Sequence, residues 1–402
     1  MYQKKIMQFL GFILLMCNGF FAQAQQLNVM PKLDSIKYLL TDMTIQIECT
    51  SGIDDMYNFK FERAESQFQW LKTFYPKHPL PYFLMAMSQW WKIMPNTDDS
   101  QYDDLFISYL DSTIYFADAL YENDDKNVEA AFFLAGAYAF KGRINAERTN
   151  WTKAAFAVKK GLNYMEISRA YKDMSPEILF GEGLYNYYSV WVPEHYSMLK
   201  PIMLFFSKGD KQLGIQQLEK VIKEGFYSKV EAQYYLMQIY NTDGNNQRKA
   251  FQLAQYLHQT YPDNPFFHRY YARMLYTLGR YFQLEKVCLE IINRIENKME
   301  GYEGTSGRYA GFYLGGVYKR KDKERSKLYY QKAVDYSESV GAYKVGYYLY
   351  SLSNLGRIAA SEKKYSEAMV FFQKILDNTN KKHKAYKEAK AFKKKYRKEL
   401  RK

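Results

Sequence analysis

The stretch that decides the fold runs from Asn246 to Ile291 and reads NQRKAFQLAQYLHQTYPDNPFFHRYYARMLYTLGRYFQLEKVCLEI. Small and apolar residues recur along it at steps of three and four, the spacing that places side chains on one face of an α-helix. The recurring positions are Ala250, Ala254, Leu257, Tyr271, Ala272, Leu275, Leu284, Cys288 and Ile291. Because Pro262, Pro265 and Gly279 interrupt the pattern, the stretch predicts one helical hairpin followed directly by the next.

The same pattern returns along much of the chain at similar intervals. The second-helix positions equivalent to Ala250 are 36, 34, 42 and 42 residues apart, and they are Gly214, Ala250, Leu284, Ser326 and Ala368. The pattern resembles the tetratricopeptide repeat (TPR), a helix-turn-helix unit of about 34 residues that stacks into a solenoid. The resemblance extends over residues 50–376 and implies an all-α, TPR-like α-solenoid of stacked helical hairpins. Because TPR proteins mostly bind peptides or protein surfaces, it also implies a protein or peptide partner.

The middle of the chain also resembles a family of TPR proteins that includes eukaryotic mitochondrial outer-membrane members. The residues that carry this second resemblance are Tyr82, Phe83, Gly181, Gly183, Leu184, Tyr185, Gly209 and Asp210. They are few and scattered, so we transfer no residue role from that family.

The beginning of the chain differs in composition from the rest. Two lysines precede the apolar run 6–21, and residues 22–24 supply the small-x-small ending of a secretory signal peptide. We therefore predict cleavage before Gln25 and export to the periplasm or to an outer-membrane-associated site in the cell envelope. A membrane anchor through a lipid on Cys17 is the alternative, although Met16 stands where lipoprotein signals usually carry a small residue.

The chain divides into four predicted segments. They are a signal peptide at 1–24, an N-terminal helical region with divergent TPR-like hairpins at 25–209, a regular TPR array at 210–379 and a basic C-terminal capping helix at 380–402. The content of 47% hydrophobic and 25% charged residues is typical of folded proteins. After signal cleavage Cys49 and Cys288 remain, more than 200 residues of solenoid apart. Since a disulfide needs closely spaced Cα atoms, we predict two free cysteines, with Cys288 buried.

The positive charge of the chain is concentrated at its C-terminus. The net charge is +14, and residues 380–402 contain twelve Lys or Arg against Glu388 and Glu399, a net of +10. An apolar stripe on this basic segment predicts a helix that caps the solenoid. The lysines also suit an anionic membrane surface, whereas export makes a nucleic acid partner unexpected.

No residue pattern is typical of catalysis, of a cofactor site or of a metal site. The five histidines form no HExxH motif and no pair at i, i+4 spacing. Glu194 and His195 are the one pairing that would suit acid–base chemistry, and the loop 301–307 lacks the Gly-Lys-Ser/Thr ending of a phosphate-binding loop. We therefore predict no catalytic residue, no cofactor and no metal ligand.

The TPR resemblance also implies a candidate binding groove, because the first helices of successive units line the concave face of such solenoids. The residues that it places there are Phe266, Arg269, Arg273, Tyr276, Tyr309, Phe312, Lys319, Arg320, Tyr350 and Arg357. Arginine offers a planar two-pronged fork and tyrosine a rigid apolar surface, so this groove suits an extended, acidic segment. It lacks the Lys and Asn clamp with which some TPR domains bind a C-terminal carboxylate. The alternative is an ordinary solvated inner face.

The sequence therefore favours a non-catalytic protein- or peptide-binding scaffold of the cell envelope. The first alternative is a peripheral membrane protein that binds anionic surfaces through the basic tail and the apolar insert 198–206. An enzyme centred on Glu194 and His195 is the second alternative.

Overall fold

The computed structural model describes residues 38–197, 200, 207–242 and 246–401. This part of the chain is α-helical and contains no β-strand. It divides after Gln247 into two compact units, which we call the N-terminal unit and the C-terminal unit.

The N-terminal unit is a series of helical hairpins. Its helices are α1 (Met43–Tyr57), α2 (Phe61–Phe74), α3 (Pro79–Ile93), α4 (Asp103–Asn123), α5 (Val128–Glu147), α6 (Trp151–Arg169), α7 (Ile178–His195), α8 (Lys211–Glu224) and α9 (Lys229–Thr242). Each helix packs against the next, and α3 also contacts α1 and α5, the first helices of the two neighbouring hairpins. The helices therefore stack in chain order, which is the arrangement of a solenoid.

The C-terminal unit repeats the same arrangement. Its helices are α10 (Gln247–Thr260), α11 (Pro265–Thr277), α12 (Tyr281–Glu296), α13 (Gly304–Tyr318), α14 (Lys323–Ser339), α15 (Gly346–Ser361), α16 (Tyr365–Asn378) and α17 (Lys384–Lys395). From α11 onward each helix packs against the next, and α11, α13, α15 and α17 form a continuous series of contacts. The predicted all-α, TPR-like solenoid of stacked hairpins is thereby confirmed.

A recurring turn joins the two helices of several hairpins. Phe59, Thr149, Gly279 and Lys363 have φ angles of 62°, 61°, 68° and 58°, and each lies two residues after one helix and two residues before the next. Residues other than glycine seldom adopt positive φ. The same left-handed residue at the same place in hairpins of both units indicates that these hairpins are variants of one structural unit.

Small residues let the paired helices approach closely. A Cβ atom added at Gly356 on α15 would lie 2.8 Å from the Phe372 ring on α16. One added at Gly214 on α8 would lie 2.6 Å from the carbonyl oxygen of Gly183 on α7. Both distances are shorter than the 3.5–4.0 Å or so of ordinary carbon contacts. The segment boundary predicted after residue 209 therefore lies between two closely packed helices.

The basic tail forms α17, which packs against α15 and α16 and buries Ala385, Ala389 and Phe392. Cys288 is fully buried in α12, as predicted. The predicted signal peptide and the insert 198–206, apart from Lys200, lie outside the described residues. Within the described ranges, no helix is both long enough and apolar enough to cross a membrane.

Candidate partner-binding surface

The structure places the predicted groove residues on three first helices of the C-terminal unit and in one turn. Helix α11 carries Phe266, Arg269, Arg273 and Tyr276, α13 carries Tyr309 and Phe312, α15 carries Tyr350 and Arg357, and Lys319 and Arg320 follow α13. Because α11, α13 and α15 contact each other in order, side chains from different repeats can meet.

Three of the predicted aromatic residues meet in one cluster with two tyrosines that the sequence analysis did not select. The ring centroids of Tyr276 and Tyr313 are 4.5 Å apart in a stacked arrangement. Tyr347 lies 4.6 Å from Tyr309 and 4.7 Å from Phe312, again between ring centroids, and its hydroxyl is 3.0 Å from that of Tyr313. We call these five aromatic residues, together with Arg273 and Arg308, the Arg–Tyr cluster.

Arg273 is the central cation of this cluster. Its guanidinium lies 5.6 Å from the ring centroid of Tyr270, and its side chain forms no hydrogen bond or ion pair with any residue in the described ranges. Burial lowers the pKa of Arg273, but the neighbouring tyrosines raise it more, so that the net shift is upward. Arg273 is therefore a charged, partly exposed fork for which the described residues supply no acceptor, so its donors are open to an acceptor from a partner.

Two further arginines, Arg269 and Arg308, lie against the ring of Tyr309. Arg308 lies 5.5 Å from the ring centroid of Tyr309, and its buried Nε has no hydrogen-bond partner among the residues that the structure describes. Arg269 is 7% exposed and donates to the Ser306 hydroxyl at 3.3 Å. Burial raises the pKa of the nearby Glu303 carboxyl, while Thr305, Arg269 and Arg308 lower it. The charges of Arg269 and Arg308 thus lie near the Glu303 carboxyl group.

The remaining predicted residues lie outside the Arg–Tyr cluster and have partners of their own. Lys319 donates to the Asn354 side chain at 3.1 Å, and the Tyr350 ring lies 5.6 Å from that of His383. Arg357 forms a two-pronged ion pair with Glu388 on α17, with one N–O distance of 2.7 Å. Arg357 therefore joins the last hairpin to the capping helix. Phe266 is buried, and Arg320 is exposed.

The sequence analysis missed Arg308, Tyr313 and Tyr347. A signal for two of them was present, since Tyr347 follows Tyr313 by 34 residues, one repeat length. Equivalent positions of neighbouring repeats stack on each other in a solenoid, so this spacing could have paired them. Arg308 gave no such signal, because its position depends on how α13 packs.

Glu194 and His195, the pair that would suit acid–base chemistry, make contacts within the fold. Glu194 forms an ion pair with Lys211. His195 stacks on Trp191 with ring centroids 4.1 Å apart, and its Nδ1 lies 2.8 Å from the Trp191 carbonyl oxygen. These contacts give both side chains a role at the end of α7.

Comparisons with known proteins relate the chain to TPR-containing structures. Human IFIT1, solved as a dimer with PPP-AAAA, shares 15% sequence identity, with a TM-score of 0.43 over 83% of this chain and 72% of that one. The TPR domain of P58(IPK) shares 11% identity, with a TM-score of 0.25 over 89% of this chain and 100% of that one. No protein-family profile and no curated protein matches the sequence.

Proposed function

We propose that this protein is a non-catalytic binding scaffold of the cell envelope, and that its Arg–Tyr cluster holds an extended, acidic segment of a partner protein. The observation that carries the proposal is Arg273, a charged side chain amid tyrosine rings with no acceptor among the described residues. TPR-like solenoids present extended surfaces of this kind to proteins and peptides.

The chemistry of the cluster favours a carboxylate over a neutral group. An arginine fork binds a carboxylate through two parallel hydrogen bonds, which are stronger than bonds between neutral groups. Tyr276, 37% exposed, and the partly exposed Tyr309 and Phe312 offer rigid surface to the apolar parts of the same segment. An acidic, extended segment would therefore meet both the charge and the aromatic rings.

The test compares two labelled peptides, one of alternating Asp and Ser and one with Asn in place of each Asp. We expect the mature protein to bind the acidic peptide and Arg273→Gln to bind it at least tenfold more weakly, because a hydrogen bond to a charged group is worth about 1.5–3 kcal/mol. The measurement is fluorescence anisotropy at fixed ionic strength.

Arg248→Gln is the matched control, since it removes the same charge from an exposed position on α10, outside the predicted groove and outside the Arg–Tyr cluster. It should leave the affinity within about twofold. Equal losses in the two variants, or equal binding of the two peptides, would show that the cluster does not recognise carboxylates.

The envelope location rests on the predicted signal peptide alone. If the signal peptide is cleaved as predicted, the mature protein recovered from its own cells begins at Gln25. The intact mass of that protein measures this directly. A mature chain that begins at Met1 would remove this part of the proposal.

A further inference from the structure

The N-terminal unit contains a cavity of about 340 Å³ that the proposed function does not use. Helices α1, α3, α5, α6, α7 and α9 contribute to its walls, and most of the lining residues are Leu, Met, Phe, Ala, Gly or Tyr. Small-molecule sites in proteins are mostly apolar and measure about 300–1,000 Å³. The cavity therefore has the size and the lining of a site for one small apolar molecule.

The cavity is open to solvent along part of its wall. Ala139 on α5 is exposed, and three other lining residues, Phe132, Phe140 and Leu184, are partly exposed. Part of the cavity wall therefore lies at the surface of the N-terminal unit.

Gly181 leaves space in the cavity, although the packing of the neighbouring helices would admit a side chain at this position. A Cβ atom added at Gly181 on α7 would meet only Met165, at the ordinary contact distances of 3.7 and 3.8 Å. At Gly142 and Gly183, by contrast, an added Cβ atom would come within 2.6 and 2.9 Å of neighbouring side chains. Glycine inside a helix is destabilising relative to alanine, so Gly181 preserves the cavity at a cost in stability.

Polar groups of the lining come together where α5 and α9 meet. Arg143 Nη1 donates to the Tyr235 hydroxyl at 2.6 Å, and its guanidinium lies 4.4 Å from the ring centroid of Trp90. Glu147 and Gln238 also line the cavity, and each follows Arg143 or Tyr235 by about one helical turn. The lining thus combines a polar group on α5 and α9 with a larger apolar surface.

Two other carboxylates of the lining have roles within the fold. Glu177 accepts hydrogen bonds from the backbone N–H groups of residues 226–228, before α9. Glu231 accepts a hydrogen bond from Trp91 Nε1 at 3.1 Å. These bonds hold α9 and the turn before it to α3 and α7, so we assign neither carboxylate to a ligand.

From the cavity, its open side and its polar group, we propose that the N-terminal unit binds a single-chain lipid. The hydrocarbon chain lies against the apolar lining, and an oxygen-containing head group lies beside Arg143 and Tyr235. Arg143 is a donor and the Tyr235 hydroxyl both donates and accepts, so a carboxylate or hydroxyl oxygen finds a partner there. The Glu147 carboxylate lines the same part of the cavity and opposes a further negative charge, so a neutral hydroxyl head fits this group better than a charged head.

The probe is cis-parinaric acid, whose fluorescence rises in an apolar site, added to the full mature protein. We expect saturable binding of one molecule per chain and displacement by palmitic acid. Fatty acids of increasing length should compete better, by roughly fourfold for each additional methylene that becomes buried. Dodecanol should compete better than dodecylamine.

Gly181→Leu places a side chain in the cavity and should weaken probe binding at least tenfold. Gly316→Leu is the matched control, because Gly316 lies in a helix where an added Cβ atom would have one neighbour within 4 Å, the Tyr330 hydroxyl at 3.9 Å. It should bind the probe as the unchanged protein does. Ala139→Phe fills the open side and replaces Gly181→Leu if circular dichroism shows that the latter does not fold.

The proposal is overturned if the unchanged protein shows no saturable binding, if the cavity-filling variant binds as well as the control, or if dodecylamine is the best competitor. It is independent of the acidic partner, since the two candidate sites lie in different units. Arg273→Gln should keep full probe binding, and Gly181→Leu should keep full binding of the acidic peptide. Failure of one proposal is therefore distinguishable from failure of the other.

Discussion

At the scale of single residues, two histidines of the C-terminal unit stack on each other. The rings of His258 on α10 and His268 on α11 have centroids 4.3 Å apart, and His268 Nδ1 lies 2.9 Å from the Tyr302 hydroxyl. Burial lowers the pKa of His258 to about 4 and that of His268 well below its usual 6.5. Both imidazoles are therefore neutral in the folded protein at pH 6.

We expect the stability of the C-terminal unit to fall as the pH drops from about 6.5 towards 4. The unfolded chain protonates its histidines near pH 6.5, whereas the folded chain binds those protons only at lower pH, so acid favours unfolding. Each histidine contributes up to about 1.4 kcal/mol of lost unfolding free energy per pH unit. His258→Gln should remove one such contribution and flatten the pH dependence.

The measurement is urea unfolding at pH 7.5, 6.0 and 5.0, followed by far-ultraviolet circular dichroism. His78→Gln is the control, because it replaces a histidine that lies in the N-terminal unit and not in the stacked pair. Comparing each variant with the unchanged protein cancels other titrating groups, such as Glu231, whose carboxyl pKa burial raises to about 7. If His258→Gln and the unchanged protein lose the same free energy between pH 7.5 and 5.0, the histidine pair is not the cause.

At the scale of elements, α17 covers an apolar surface that α15 and α16 would otherwise expose. The ring centroids of Phe372 and Phe392 are 4.5 Å apart, and those of Tyr365 and Tyr396 are 4.4 Å apart. A solenoid needs such a terminal cap, because its last hairpin has a neighbour on one side only.

We expect Phe392→Ala to lower the unfolding free energy by about 3 kcal/mol, since it removes a buried ring and leaves a cavity. Lys394→Ala on the same helix is the control, because Lys394 is exposed and alanine is a good helix former. Thermal unfolding of both variants gives the comparison. Equal melting temperatures for the two would mean that α17 does not stabilise the last hairpin.

The last hairpin also shows what the sequence could predict and what it could not. Its repeat position Ala368 is fully buried, as the helical spacing indicates, because one amphipathic face must pack against its own partner helix. The partner of Arg357 was not predictable in the same way. Glu388 belongs to a different element, and helical spacing within α15 carries no information about that contact. The TPR resemblance placed Arg357 in a binding groove, and the structure pairs its side chain with Glu388 of the cap.

At the scale of the whole molecule, the two candidate sites have opposite chemical character. The N-terminal unit contains an apolar cavity, and its lining residues come together only when six helices have packed. No linear pattern predicts it, because its walls come from positions scattered between residues 40 and 238. The C-terminal unit contains the Arg–Tyr cluster. The TPR resemblance implied four of its seven residues, which are Arg273, Tyr276, Tyr309 and Phe312.

The concentration of charge in the C-terminal tail predicts a salt-sensitive attraction to anionic surfaces. Residues 380–402 carry a net charge of +10 of the total +14, and Lys387, Lys390 and Lys394 on α17 are exposed. Each lysine close to an anionic bilayer contributes about 1 kcal/mol. We therefore expect the triple Lys→Gln variant at these positions to bind phosphatidylserine vesicles about a hundredfold more weakly than the unchanged protein. Sedimentation with vesicles at low salt measures this difference.

The matched control changes Lys60, Lys77 and Lys126 to glutamine, which removes the same charge from exposed positions of the N-terminal unit. Its binding should change little, since the attraction falls off within a Debye length of about 10 Å at 0.1 M salt. If both triple variants bind the vesicles more weakly by the same factor, the net charge of the protein governs binding, and the position of the lysines in the tail does not matter. If the unchanged protein does not sediment with the vesicles even at low salt, α17 serves the solenoid only as its cap, and the lysines keep that cap soluble.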